Sequence, residues 1–398
     1  MAEKVCMTIA VYTSDLNEDN GHLMPWRTVL EVAAHFIRLR QNAIVLSGCQ
    51  NQNAPSWQKN GVPIKSIQKP YNRAGFKKLA DFCRAENIKV MYWPLDWKIP
   101  QTSVLQLENV GLRIIWYVPG AYYHFSHVLK AIPYIGLTAA MPYMAQALMP
   151  KRYYVRQLLK NGVRPLIMMS EYSRTMIIKV GYPEKYVFHI PPGKPFLDIS
   201  NDKSSIFDEI KHRIGGRPYF LFFGPPQAIR GIIQMLLAFK HVARNNTDVC
   251  LVCLFRSDKG LVSASLRARI QDMNLEDRIF CAWDSVSQSD LDFFLLNCYA
   301  VLKPFLLVPS EIPLAVIEAA GHGKPVISTG PDGTGVFAAQ FGIMVPPANA
   351  KALATAMLKL LNDKQLYKNK CNVATQVYAD HPTWEAVANQ WLRIADLH

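Results

Sequence analysis

The chain has 398 residues, half of them hydrophobic and 19% charged, which excludes extended disorder and exceeds what one ordinary core absorbs, so two domains are expected. The net charge of +14 sits mostly in the first half: residues 1–200 carry 24 Lys and Arg against 12 Asp and Glu. An anionic membrane surface fits that asymmetry; a nucleic-acid role has no zinc-finger spacing, RNA-recognition motif or Arg-rich tail behind it. The first residues lack the basic flank, long apolar run and cleavage site of a signal peptide, and the eight cysteines are scattered. Cys250 and Cys253 form a C-x-x-C, but in a strand that spacing points them to opposite faces. They read as reduced core residues of a cytosolic protein, not as a metal or redox site.

Residues 5–12 predict a buried strand, 25–40 a helix and 43–47 a second strand. A helix over 73–86 and strands over 88–93 and 113–118 repeat the pattern. Strands alternating with helices indicate a parallel sheet covered on both faces, which binds ligands beyond the carboxyl ends of its strands. That rim would hold Asn20, Gly21 and His22, residues 93–97 and residues 119–124. Gly21 would let a ligand approach the backbone closely.

Residues 131–150 contain no charge and are bounded by Lys130 on one side and Lys151 and Arg152 on the other. The length could span a bilayer, but Pro133, Pro142 and Pro150 argue against a continuous spanning helix. Two readings stand: an apolar surface dipping into the lipid interface beside the basic run 151–156, or a buried insertion. A strand over 165–170, a helix over 171–180 and a short strand over 187–191 follow. Residues 192–205 are polar and turn-rich, so the domain boundary falls near 195–215.

The second half restarts the same grammar, with strands over 219–223, 249–255, 279–281, 300–302 and 325–328. Helices are expected to about residue 244 and over 261–274, 288–297, 314–320, 350–361 and 384–397. Asp290 and Asp292 form a D-x-D, but two residues apart on a helix they face different directions and read as a solvated helix start. The usual phosphate-loop and dinucleotide patterns are absent. Two stretches carry chemistry. Gly224 opens a turn that ends in Arg230 at the start of a helix, suited to a diphosphate. Residues 310–327 read as a tight turn, a helix opened by Pro313, a glycine stop and a strand. This is an anion-binding helix mouth with the Glu318 carboxylate nearby.

The run from Glu311 to Ile327 resembles the signature of family-four retaining glycosyltransferases of the GT-B fold. Phe223–Gly224 with Arg230–Gly231, the run Ser170–Ser173, the run Ile190–Gly193 and the run Gly342–Pro347 resemble further motifs of that family, in its order. The resemblance is strong over about 165–362 and weak before 160. It implies an α/β protein of two Rossmann-like domains facing across a cleft. Residues 1–195 would form the acceptor-side domain, 196–215 a linker and 216–380 the donor domain. Residues 381–398 would be a helix packing back on the first domain.

The resemblance also implies roles. Glu318 would hold the nucleotide ribose, and the turn Ile312, Pro313 and Leu314 would meet donor sugar and phosphates. Arg230 would neutralise the leaving diphosphate without a metal, Trp283 would lie beside the base, and Gly21 would approach the donor from the first domain. Ser310 and Glu311 would lie at the sugar, and Trp116 and His124 on the acceptor side. Three positions depart from the pattern. Ser310 replaces the first glutamate, Pro225 replaces an arginine, and His124 is off the position of the usual histidine. The expected substrate is a nucleoside-diphosphate sugar, with no cofactor. The expected acceptor is open, a lipid-linked glycan among the candidates, and the expected place is the cytoplasm or the cytoplasmic face of a membrane. A non-catalytic partner protein, or a sugar-nucleotide epimerase or phosphorylase of the same fold, are the alternatives.

Overall fold

The computed structural model describes residues 7–396, apart from 22–23, 50–55, 96–103, 105–106, 109–110, 122, 198–207, 246–247, 256–260, 284–285 and 309. The described residues form two sheets. The first runs in the order β3-β4-β2-β1-β5-β6-β7-β8. Its strands are β1 (Thr8–Ser14), β2 (Asn42–Cys49), β3 (Trp57–Lys59), β4 (Val62–Gln68), β5 (Ile88–Pro94), β6 (Arg113–Val118), β7 (Leu166–Met168) and β8 (Val187–His189). All pairings are parallel except β3 with β4. The β3–β4 hairpin turns on Asn60 and Gly61, both at positive φ, the pair a two-residue turn favours.

The second sheet has the order β11-β10-β9-β12-β13-β14 and is parallel throughout. It comprises β9 (Tyr219–Gly224), β10 (Cys250–Phe255), β11 (Ile279–Ala282), β12 (Ala300–Lys303), β13 (Val326–Thr329) and β14 (Ile343–Val345). These are GT-B-like parallel α/β layers, and each strand is apolar on both faces because helices cover both. In β1, Ile9 and Val11 enter one core while Ala10 and Tyr12 enter the other. Cys250 and Cys253 divide between two cores in the same way, both as free thiols.

Among the described residues of the first half the named helices are, in chain order, α1 (Trp26–Arg38), α2 (Arg73–Ala85), α3 (Phe125–Ile135), α4 (Leu137–Leu148), α5 (Lys151–Lys160) and α6 (Glu171–Lys179). Those of the second half are α7 (Asp208–Ile214), α8 (Ile232–Asn245), α9 (Leu261–Asp272), α10 (Gln288–Asn297), α11 (Leu314–Gly321), α12 (Gly333–Ala339), α13 (Ala350–Asn362), α14 (Lys364–Asp380) and α15 (Trp384–Asp396). The chain reverses around β1 and β9. Open α/β sheets form crevices at such points, here between β1 and β5 and between β9 and β12.

The last helix belongs to the first sheet's core. Trp391 is buried with its ring 4.8 Å from Tyr92 and 5.4 Å from Tyr117. The Tyr92 hydroxyl donates to the Trp391 carbonyl at 2.6 Å, and Arg113 donates to the carbonyls of Ile394 and Ala395. The crossing is pinned where Lys194 N–H donates to the Pro382 carbonyl at 2.8 Å and a His381 ring nitrogen meets the Pro192 carbonyl at 2.7 Å.

Several expectations change. Residues 131–150 form no single span: α3 and α4 are separated at Gly136, whose φ of 80° breaks the helix. None of the described helices is long and apolar enough to cross a membrane. One face of the pair packs on Leu306 and Leu307 of the second domain, and the other is exposed. Part of the expected linker is α7, while 198–207 lies outside the described residues, as do His22, Asp96 and Trp97 of the expected rim. Asp290 and Asp292 are buried, not solvated. Asp290 accepts from the Ser287 hydroxyl at 2.5 Å, and Asp292 lies 3.1 Å from His322 Nε2. Burial of these carboxylates requires such partners.

Candidate active site between the two sheets

The carboxyl edges of the two sheets meet, and the seam is built from side chains of both halves. From the second half, β9 ends at Gly224 and turns through a 3-10 turn at Ala228–Arg230 to Gly231. Gly231 has φ of 74°, and a Cβ there would lie 1.8 Å from the Pro304 carbonyl oxygen, so only glycine fits. That close approach locks the turn against the end of β12. The Leu306 N–H also donates to the Ile229 carbonyl at 2.8 Å.

Arg230 is half-buried on this turn. Its Nε donates to Gln227 Oε1 at 3.4 Å, its guanidinium lies 5.9 Å from the Phe305 ring, and one terminal nitrogen borders Gly224. Beneath it Lys303, the last residue of β12, is 1% exposed and donates to the Phe223 carbonyl at 2.7 Å, with Nζ 3.5 Å above the Phe223 ring. Lys303 was not legible as a site residue, because a lysine ending an apolar strand reads as a solvated strand end. Its bond to the Phe223 carbonyl puts a second basic side chain next to the Gly224 turn.

Glu318 sits in α11, buried, with Oε1 3.5 Å from an Arg27 terminal nitrogen on α1. Arg27 also lies 3.9 Å from Glu31, one turn on. The helix that carries Glu318 is held from behind: His322 Nδ1 meets the Glu318 carbonyl at 2.9 Å while its Nε2 faces Asp292. Pro313 is the cap residue and the helix proper runs Leu314–Gly321, starting where the expected 314–320 span starts. The Ile312 and Leu314 side chains are spent on packing, joining the core that runs through β1, α1 and α15. Their backbone is what remains for a ligand.

Glu311 faces the other way. Its carboxylate accepts from the hydroxyls of Ser170, at the start of α6, and of Ser173, at 2.6 Å for the latter. A Cβ on Gly333 would collide with both Glu311 and Ser170, so α12 closes over this contact. Burial pushes the Glu311 carboxyl up to about 7, against the two serine hydrogen bonds and with help from Asp332. Asp332 caps α12 by accepting from the Gly335 N–H at 2.7 Å, and burial pushes it to about 7 as well. Glu311, expected at the donor sugar, is therefore a bond between the domains. Ser310 beside it is buried, and the Thr334 hydroxyl holds the Glu311 carbonyl at 2.9 Å. A crevice of about 330 Å³ runs along the same seam, lined by Tyr172, His189, Ile312, Val336, Phe337 and His381 among others.

From the first half, Gly21 is buried, and a Cβ on it would touch Leu30 at 3.0 Å and the Lys59 ammonium at 3.1 Å. Lys59 comes from the β3–β4 hairpin and is a third cation that sequence reasoning missed. Its signal was present: Asn60–Gly61 marks a hairpin. His124 caps α3 at the rim and its Nε2 meets the Tyr172 hydroxyl at 2.5 Å. Burial holds His124 below its usual range, and holds the adjacent His127 down to about 4 with help from His124 and Lys130. The neighbouring Tyr123 hydroxyl donates across the seam to the Val308 carbonyl at 2.5 Å.

Two expected residues lie elsewhere. Trp116 is 1% exposed inside the first domain's core, its indole N–H without an acceptor. The alternation of β6 points it into the core on one face of the sheet, so it is not on an acceptor surface. Trp283 packs 4.7 Å from Phe255 with the Arg267 guanidinium 5.1 Å over its ring, so it serves the second core. Among the described residues, no three His, Cys, Asp or Glu side chains converge as metal ligands would.

Comparison with known proteins agrees with this layout. Residues 205–376 match the family model of glycosyl transferases group 1, so the second half carries a glycosyltransferase domain. The whole chain is similar in structure to a glycosyltransferase from Rickettsia africae, with a TM-score of 0.73 at 15% identity, covering 99% of this chain and 98% of that one. It is similar to the Anabaena protein HepE in complex with UDP, with a TM-score of 0.69 at 14% identity, covering 98% of this chain and 100% of that one. For sucrose-phosphate synthase from Thermosynechococcus elongatus the TM-score is 0.67 at 14% identity, with 98% of each chain covered. At these identities the likeness establishes the GT-B fold. No curated protein sequence matches the chain significantly.

Proposed function

We propose that this glycosyltransferase moves a sugar from a nucleoside diphosphate, held by the second domain, to an acceptor held by the first. The observation that carries the reading is the Gly224–Arg230 turn with Lys303 beneath it and Glu318 beyond it. This is a fixed cationic lip with one carboxylate, flanking the crevice between β9 and β12. The Arg230 guanidinium meets the charge that grows on the leaving diphosphate. Being positioned before the reaction, it stabilises the transition state without reorganisation and needs no metal to do so. Glu318 accepts from the two ribose hydroxyls, and Arg27 leaves it to pair with a phosphate. The free N–H groups at the start of α11 face the same anion. Retention of anomeric configuration follows the resemblance of residues 311–327 to the family-four signature.

HepE has been seen with UDP and with UDP-glucose, which makes uridine nucleotides the first donors to test. The acceptor side is the basic first domain, with His124 at the rim. A lipid-linked acceptor, met at the cytoplasmic face of a membrane, suits its charge. The test is a calorimetric panel of nucleoside diphosphates and sugar nucleotides on the wild type, Arg230→Ala and Glu318→Ala. One nucleotide should bind the wild type and bind each variant at least tenfold more weakly. No nucleotide binding at all would end this reading. Binding without turnover on any acceptor would favour a non-catalytic partner, for which the departures from the family pattern at Ser310 and Pro225 are the grounds.

A further inference from the structure

The hairpin α3–α4 and the following α5 have an outer surface that the site does not use. In α4, Leu137, Met141, Ala145 and Leu148 recur every three to four residues and are all exposed, which makes one continuous apolar helix face turned to solvent. In α3, Phe125, Leu129 and Pro133 repeat the pattern at a spacing of four and are also exposed. The inward faces are apolar too, because Val128, Ala131 and Ala140 pack on Leu306 and Leu307. A surface helix needs one apolar stripe; this pair has two, and only one is covered.

The stretch of chain that carries that face has charge of one sign. Residues 109–170 contain no Asp or Glu, yet include Arg113, Lys130, Lys151, Arg152, Arg156, Lys160 and Arg164. Arg152, Tyr153, Arg156 and Lys160 are exposed along α5. Between α5 and the end of α6 lies a groove of about 340 Å³, walled by Arg152, Arg156 and Lys179 with Val155, Leu159 and Val180 as its floor. The carboxylates in range are engaged: Glu171 and Glu184 both pair with Arg174, at 2.9 and 2.6 Å. A neighbouring apolar slot near Met149, Met176 and Ile177 measures about 30 Å³, room for a water or a methyl group. The apolar anchor is therefore the exposed helix face and not that slot.

We infer that α3–α5 is a membrane-docking face. Leu137, Met141 and Leu148 enter the lipid interface, and the Arg152–Arg156–Lys179 groove takes the phosphate of an anionic lipid. The occupant is a bilayer because an exposed apolar helix face followed by the exposed bases of α5, in a stretch with no acidic residue, matches an anionic lipid surface in both depth and sign. A soluble partner would need carboxylates placed opposite each base and a dry pocket for each side chain. The inference does not depend on which sugar is transferred. It places the cleft at the membrane, since the covered side of the same hairpin rests on Leu306 and Leu307.

The test is flotation of the full chain with vesicles of phosphatidylcholine alone and with thirty mole percent phosphatidylglycerol, at 0.1 M salt. The wild type should float with the anionic vesicles and stay behind with the neutral ones. Arg152→Gln, Arg156→Gln and Lys179→Gln combined should lower partitioning about a hundredfold, since each base near an anionic surface contributes about fivefold. Leu137→Ser, Met141→Ser and Leu148→Ser combined keep every charge and should also lose flotation. All three side chains are exposed, so that variant folds, which its unchanged melting temperature and nucleotide binding check apart from the function reading. Wild type left behind with anionic vesicles overturns the inference. So does serine-variant binding equal to wild type, which would mean adsorption by charge alone. A stable dimer that is broken by the serine changes would overturn it too, by giving the face to a second copy.

Discussion

Replacing Glu311 by glutamine should stabilise the protein at pH 8 and do little at pH 5. The carboxyl is fully buried between Ser170 and Ser173 and is pushed from 4.5 to about 7. Its folded value is raised, so the unfolded chain holds the anion more easily than the folded one. The carboxyl therefore imposes no penalty below pH 4.5, where it is protonated in both states. The penalty grows as pH rises from 4.5 to about 7 and is complete above that. The gap corresponds to about 3 kcal/mol against the fold at pH 8. A glutamine keeps an acceptor for one serine and offers N–H to the other, so it removes the penalty and leaves the contact. At about 2–4 °C per kcal/mol for domains of this size, Glu311→Gln should melt about 5 °C or more above the wild type at pH 8. At pH 5 the two should nearly coincide. Other groups facing the seam are Asp332, Tyr123, Tyr172 and His124, and they are the same in both proteins. The assay is paired thermal melts from pH 5 to 8. A melting difference that does not change with pH would refute the burial argument.

Asp332→Asn should act in the same direction over the same window, because asparagine still caps α12 through Gly335 while losing a charge pushed up to about 7. Paired melts at pH 5 and 8 check it. Arg230→Ala should lower kcat/KM by about 10²–10³, the range for a preorganised group at a developing charge, with the loss shared between kcat and a raised donor KM. Steady-state kinetics with the matched donor reads this. Gly231→Ala should destabilise by about 3 kcal/mol or more, since its Cβ meets the Pro304 backbone at 1.8 Å and cannot be relieved by a rotamer. Denaturant unfolding measures it. Trp391→Ala should cost about 3–5 kcal/mol and unfold the first domain first, although the residue lies near the end of the chain. Hydrogen exchange across β5 and β6 should report that loss.

Much of the layout was legible in the residues themselves. Parallel strands buried on both faces read as continuous apolar runs, so β1, β5, β6, β9 and β10 lie close to where periodicity puts them. Gly224, Arg230 and Glu318 were legible because a glycine turn and a helix mouth have local signatures. The short α12, β14 and the polar α14 were not read: three residues of strand and a helix with one buried residue carry little periodic signal. The Asn60–Gly61 hairpin had its signal and was passed over. Trp116 was expected at the acceptor side and lies in the core, and Trp283, open between a stacking platform and a core residue, packs in the core; local sequence does not separate these cases.

The sequence by itself determined the strand–helix grammar, the basic first half and the acid-free stretch 109–170, because these depend on composition and local spacing. Only the tertiary structure decided where charges and faces ended up. Glu311 and Ser310 are adjacent in the chain, yet the Glu311 carboxylate belongs to Ser170 and Ser173, some 140 residues away. Lys303 became a buried cation under the Gly224 turn because β12 lies beside β9. The uncharged run 131–150 became a hairpin with one covered face and one open one, a division set by the second domain's Leu306 and Leu307. Burial and long-range pairing depend on how two sheets meet, and no local pattern encodes that meeting.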